Sequence, residues 1–113
     1  MSKATPLQPR DKNAAPIPVL APAVNTSDTL DSSAQHLALP VDADGNVYPV
    51  VEVASLGNCY ILFGSSSDSP TSASQLFVAG VAQYKVPQDA TYLNHLQQSG
   101  TDNGAVITVT GLV

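Results

Sequence analysis

The segment that most restricts the fold is "APIPVLAPAV" at residues 15–24, which is apolar but contains three prolines. Proline locks φ and has no backbone N–H, so this segment can form neither a helix interior nor a central strand. Most of the prolines precede residue 23, and the first glycine is Gly45. Such a composition is typical of an extended, polyproline-like arm. A polar stretch, "NTSDTLDSS" at residues 25–33, is predicted to be a linker. We therefore predict an arm and linker over residues 1–33 and a folded body over residues 34–113.

After the linker, the pattern changes to short runs rich in Val, Ile, Tyr and Phe that are separated by turn residues. This spacing predicts an all-β fold, a small antiparallel β-sandwich or barrel of about seven short strands. No window shows the i, i+3, i+4 apolar stripe of a helix. The predicted strands cover residues 35–39, 47–54, 59–64, 75–79, 82–86, 91–96 and 105–110.

Two strands indicate which side chains are buried. In "VYPVVEVA", Val51 and Val53 share one face, and Pro49 must lie at an edge or a bulge because it cannot donate to a ladder. In "CYILFG" both faces are apolar, which predicts a central strand that is covered on both sides, with another subunit as one possible cover. The "LGN" turn is predicted to use Gly57 for a positive φ.

The charge is unevenly distributed along the chain. Lys3, Arg10 and Lys12 against Asp11 give residues 1–12 a charge of +2, whereas residues 13–113 carry one lysine against eight acidic side chains, a charge of −7. An acidic body cannot neutralise a phosphate backbone, so nucleic-acid binding is not expected. The basic tip could steer the arm onto an acidic surface, including a sister copy, or could be a solvated terminus.

No signal peptide and no membrane-spanning segment is predicted from the sequence, so no membrane partner is expected. The single cysteine, Cys59, can form no internal disulfide. It is predicted to be a small buried hydrophobe in a strand, which suits a reducing compartment.

The residues that could support chemistry form no recognisable motif. His36 and His95 could pair with Asp89 and a serine, but the sequence has no G-x-S-x-G elbow. "DADGN" resembles the start of a calcium loop, with Asp42, Asp44 and Asn46 at alternate positions, yet its glycine comes too early, which favours a plain Asp-Gly turn. We therefore predict no enzymatic activity, no metal site and no cofactor.

The segments "GNCYILFG", "AGVAQYKVP" and "QQSGTDNGAVITVTG" resemble a shared pattern of small tailed-bacteriophage virion proteins, of the capsid decoration, cement or head-associated type. The resemblance covers residues 52–112, and Ala79 stands where a proline often precedes the glycine. It implies an all-β structural part of the particle, without cofactor or catalytic residues, located in the virion and assembled in the host cytoplasm.

These observations lead to three hypotheses. The first is a capsid decoration or cement protein whose β body docks on the head and whose arm laces over the major capsid protein or sister copies in a homodimer or homotrimer. The others are a head–tail junction or tail component and a virion-surface module that binds a glycan or receptor, for which Tyr92 is the nearest aromatic candidate. The residues predicted to bind a partner are those of the arm: Leu7, Arg10, Ile17, Pro18, Val19, Leu20 and Pro22.

Overall fold

The computed structural model describes residues 20–113, and these form an all-β sandwich of two four-stranded antiparallel sheets. The first sheet has the strand order β1-β8-β3-β6, and the second has the order β2-β7-β4-β5. The strands are β1 (Pro22–Thr29), β2 (Gln35–Ala38), β3 (Val50–Ser55), β4 (Cys59–Gly64), β5 (Gln75–Phe77), β6 (Gly80–Lys85), β7 (Tyr92–Gln97) and β8 (Val106–Leu112), with a 3₁₀ turn at Gly100–Asp102.

The core lies between the sheets and follows the alternation of the strands. On β3, Val51 and Val53 are fully buried, while Glu52 between them faces the other side and is only half-buried. Ile107 and Val109 of β8 and Leu93 of β7 complete the centre of the core. Side chains of alternate residues point to opposite faces, so one face of each sheet supplies this interior. The predicted burial of the Val51 face is confirmed.

The prediction for β4 is only partly correct. β4 does lie inside its sheet, between β7 and β5, and it buries Cys59 and Ile61. Its other face carries Tyr60, which is half-buried, and Leu62, whose side chain is 38 % exposed. Within residues 20–113, nothing covers this outer face as it would in a sheet packed on both sides.

The prediction of a polar linker at residues 25–33 is wrong for its first part. β1 pairs with β8, from Asn25 opposite Thr110 to Thr29 opposite Val106. The local sequence gives no strand signal here, because Asn, Ser and Asp are poor strand formers. The long-range pairing to an apolar strand holds the segment in the sheet, and the sandwich therefore has eight described strands.

The positive φ predicted for Gly57 is also wrong. The described glycines with positive φ are Gly45, Gly80 and Gly104. Gly57 is needed for a different reason, since a Cβ there would meet Ala105 Cβ at 2.8 Å and Leu30 Cδ1 at 3.1 Å. The turn between β3 and β4 packs closely against Leu30 and Ala105, and Gly57 is required there because no side chain would fit.

Candidate functional site

The structure describes only the last two of the residues that were predicted to bind a partner. Leu20 is 50 % exposed, and Pro22 lies in β1 opposite Leu112. The arm therefore joins the body earlier along the chain than predicted, at Ala21. Leu7, Arg10, Ile17, Pro18 and Val19 lie outside the described residues.

Pro22 fits into a strand because of the direction in which its nitrogen points. Ala21 and Val113 exchange both backbone hydrogen bonds, with N···O distances of 2.7 and 3.0 Å. The neighbouring pair, Pro22 and Leu112, is therefore a non-hydrogen-bonded pair, in which the nitrogen of Pro22 points away from β8. The sheet loses no donor, and the proline occupies an edge position.

One long side of the sandwich, where β1 faces β2, is held together by bonds between the sheets. We call it the closed side. Thr26 Oγ1 on β1 donates to the carbonyl of Ala38 on β2 at 2.8 Å. Asp28 of β1 lies 3.2 Å from His95 Nε2, measured from Oδ2, and His95 belongs to β7 in the opposite sheet. Two cross-sheet contacts from one edge strand fix the sheets against each other here.

His95 is fully buried, and burial lowers the pKa of its imidazole below the usual value of 6.5, against the opposing effect of the Asp28 carboxylate. A carboxylate only accepts hydrogen bonds, so Nε2 carries the proton of the neutral ring. The other ring nitrogen, Nδ1, is buried and has no hydrogen-bond partner among the described residues. The geometry is that of a structural contact between sheets.

The opposite long side, where β6 faces β5, is built differently, and we call it the open side. Among residues 20–113, no hydrogen bond joins β5 to β6. A groove of about 400 Å³ runs between the two strands. Its lining is largely apolar and includes Ile61, Phe63, Gln75, Tyr84, Lys85 and Pro87.

Aromatic side chains are concentrated behind this groove. The rings of Phe63 and Tyr84 meet edge to face with centroids 5.8 Å apart, and Phe77 lies 6.3 Å from Tyr84. The chain has only two Phe and four Tyr residues, so half of its aromatic side chains gather here. Such contacts hold a rigid apolar wall in a groove that is open to solvent.

The strand β6 also presents unpaired backbone groups on the open side. Val86 N–H donates to the carbonyl of Pro49 at 2.8 Å, so even-numbered residues turn their backbone groups towards β3. Alternate residues turn the other way, and the N–H and C=O groups of Val81, Gln83 and Lys85 therefore face outward. Within the described part of the chain, no strand pairs with this edge.

A second apolar surface lies on the outer face of the first sheet, and we call it the outer patch. Its exposed side chains are Leu56 at 80 %, Val81 at 66 % and Val106 at 41 %. They surround a shallow groove of about 310 Å³ that also includes Ala54 and Thr108. Scattered exposed apolar side chains are normal on protein surfaces, but a contiguous group usually marks an interaction site.

The structure does not bring together the histidine, aspartate and serine residues that were considered as a catalytic group. His36 Nδ1 lies 2.7 Å from Asn94 Oδ1, and Asn94 Nδ2 donates to the carbonyl of Ser65, so this histidine helps to anchor a loop. Neither histidine contacts Asp89 or a serine hydroxyl among the described hydrogen bonds. The region that resembled a calcium loop is an Asx turn in which Asp42 Oδ1 accepts the N–H groups of Asp44 and Asn46.

No group of three or more His, Cys, Asp or Glu side chains in residues 20–113 is placed to hold a metal ion. Cys59 is buried, as the sequence predicted, and burial raises the pKa of its thiol to about 11. A thiol in this environment is a poor nucleophile, since the thiolate is the reactive form.

Comparison of the chain with models of known protein families, with curated proteins and with solved structures gives no match. The part of the chain that the structure describes contains no helix long and apolar enough to cross a membrane.

Sequence reasoning missed both apolar surfaces. Leu56, Val81 and Val106 belong to three different predicted segments or their turns, and only the strand order β8-β3-β6 makes them neighbours. Phe63 and Tyr84 are likewise on different sheets. The sequence carried no signal for Leu56, since a single leucine beside a turn is as easily exposed as buried.

Proposed function

We propose that the chain is a structural protein of a tailed-bacteriophage particle, a decoration or cement protein that binds the outside of the capsid. The single observation that supports this function best is the outer patch, a contiguous apolar surface on a small β-sandwich. Such a surface fits a protein partner of large area better than a small substrate.

In this proposal, the outer patch seats the body on the major capsid protein, and residues 1–19 reach across to neighbouring capsid subunits or sister copies. Burial of Leu56 and Val81 would each contribute roughly 1.5–3 kcal/mol per copy. Residues 1–19 add further contacts at a high effective concentration once the body is docked. The function is mechanical, because the added interface raises the free energy that is needed to pull the shell apart.

The particle itself provides the test. Quantitative mass spectrometry of purified virions should find hundreds of copies per particle, one at each repeat of the shell. About a dozen copies would instead assign the chain to a ring at the head–tail junction, where the number of copies equals the number of subunits in the ring. Binding of glycans by the isolated protein, together with normal retention of patch variants, would favour a receptor-binding module.

A pair of variants separates the outer patch from the rest of the first sheet. Leu56→Asp with Val81→Asp should abolish retention on heads, because two charges would have to be buried in the interface. Asn25→Asp, at an exposed position of β1 that pairs with Thr110, adds a charge to the same sheet outside the patch and should bind normally. Equal retention of both proteins would refute the proposal that the outer patch binds the capsid.

A further inference from the structure

We propose that the open side of the sandwich is completed by residues 16–19 of a second copy of this chain, which lie along β6 and put alternate side chains into the groove between β6 and β5. The observations behind this are the unpaired edge of β6, the aromatic groove beside it, and the spacing of prolines before Leu20. The inference rests on the proposed function for its setting on a phage head, and its geometry concerns the chain alone.

The first step concerns hydrogen bonding. In an extended chain, the nitrogens of Pro16, Pro18 and Pro22 all point to one side, since residues of equal parity share a direction. Pro22 lies in β1, and its nitrogen points away from the partner strand β8. The N–H groups of Ile17 and Val19 point to the other side and can pair with a strand edge. This segment can therefore extend a sheet on one side only, and it cannot recruit a further strand beyond itself.

The second step concerns the groove. Side chains of a strand alternate between the two faces of the sheet, so two of the four residues 16–19 enter the groove and two cover the outer face, in either strand direction. Prolines and branched aliphatic side chains both suit a wall of Phe63 and Tyr84, because aromatic-lined grooves bind proline-rich segments. Two known modes of peptide recognition, strand addition and proline binding, thus meet at one site.

The third step shows that residues 16–19 cannot reach the open side of their own molecule. Leu20 leaves the body beside Val113, at the end of the first sheet where Val50 pairs with Lys85. A strand beyond β6 is four inter-strand spacings from β1, roughly 19 Å. Ile17 is three residues from Leu20 and reaches at most about 11 Å. Its own open side is therefore out of reach, and a neighbouring body must supply the groove.

Charge supports the same occupant. Residues 1–12 carry +2 and the remainder of the chain −7, so a segment from one copy is attracted to the body of the next. The charged side chain that lines the groove is Lys85, and Asp89 follows two residues after Pro87, which also lines it. The attraction is therefore between the basic residues 1–12 and the acidic body as a whole.

Disulfide trapping with the full-length protein tests the inference. One chain carries Ile17→Cys and a second, differently tagged chain carries Gln83→Cys on the exposed edge of β6, and the mixture is oxidised with diamide. The expected result is a covalent dimer that contains both tags. The matched control replaces Gln83→Cys by Ser27→Cys, which is also exposed and lies on the opposite edge of the first sheet, and should yield none. Equal trapping by both, or trapping by neither, would overturn the inference.

A second measurement covers variants that disturb the fold. Gln83→Pro removes a donor that faces outward and no bond within the body, so the protein should stay folded by circular dichroism and sediment as a single chain. Wild-type protein should sediment as a dimer or trimer. A wild-type monomer at high concentration would refute the inference even if virions carried hundreds of copies. Oligomers that failed to bind heads would refute the proposed function alone.

Discussion

Along the closed side of the sandwich, β1 and β2 are joined by the hydrogen bond from Thr26 to Ala38, and Asp28 reaches His95 in the opposite sheet. Along the open side, β6 and β5 share no hydrogen bond among the described residues, and an apolar groove of about 400 Å³ separates them. The difference shows that the same fold uses polar contacts where it closes on itself. It leaves apolar surface and unpaired backbone groups where a partner is expected.

The largest effect should come from two proline substitutions in β6, one at an N–H group that points towards β3 and one at an N–H group that points outward. Ala82→Pro removes a bond to β3 and should destabilise the body by roughly 3 kcal/mol or more. Gln83→Pro, one residue along the strand, removes an outward donor and should cost less than about 1 kcal/mol when the proteins are compared at concentrations too low for association. Urea denaturation of both variants measures the difference. If both cost the same, β6 is not an open edge.

The next effect concerns the buried histidine of the closed side. His95→Ala should lower the free energy of unfolding by about 2–4 kcal/mol, because it leaves a cavity and removes the contact with Asp28. Gln75→Ala, at the exposed edge of β5, is the matched change on the open side and should cost less than about 0.5 kcal/mol. Chemical denaturation compares the two, and equal losses would mean that the sides do not differ.

How far the sequence predicts this asymmetry can be seen by comparing β1 with β3. The alternation of apolar residues around Val51 and Val53 predicts a strand and its buried face, since that information is local. β1 has no such alternation, and it forms only because β8 and His95 lie beside it in the fold. Long-range pairing of this kind leaves no signal within a window of ten residues.

The candidate sites differ in the same way. The sequence predicts that residues 15–24 need an outside partner, because their prolines and apolar side chains are local features. The structure instead pairs Ala21 and Pro22 with β8 of the same chain, and for residues 15–19 the statement stays a prediction. The sequence cannot place Phe63 beside Tyr84 or leave β6 at an edge, because both depend on the order of strands in two separate sheets.

A smaller effect is expected for the other contact of the closed side. Thr26→Val keeps the shape of the side chain but removes its hydroxyl, which should cost about 1 kcal/mol. Thr108→Val, on the outer face of β8, loses no described hydrogen bond and should be close to neutral. Thermal unfolding of the two variants tests this pair, and a neutral Thr26→Val would show that the hydroxyl does not hold the sheets together.

The smallest effect should be a pH dependence that belongs to the closed side. The pKa of His95 is lowered in the folded protein, so the unfolded chain binds the proton more tightly. The stability contributed by the neutral histidine is complete above its ordinary value of 6.5. It is lost as the pH falls from there towards the lowered pKa of the folded state.

Denaturation at a series of pH values between about 7 and 5 measures this loss of stability. The loss of stability that is due to His95 should disappear in His95→Asn and persist in His36→Asn. Asp28 lies against His95 and opposes the loss, because its carboxylate favours the protonated ring. Stability that rises as the pH falls in this range would contradict the assignment.

The outward amides of β6 provide the most direct test of the claim that the open side receives a second copy. Hydrogen exchange of Val81, Gln83 and Lys85 can be followed in the full-length protein at high concentration and in the double variant Ile17→Asp, Val19→Asp. We expect slow exchange at these amides in the wild type and fast exchange in the variant, with Ala82 and Tyr84 slow in both. Fast exchange of the three outward amides in both proteins would contradict the account.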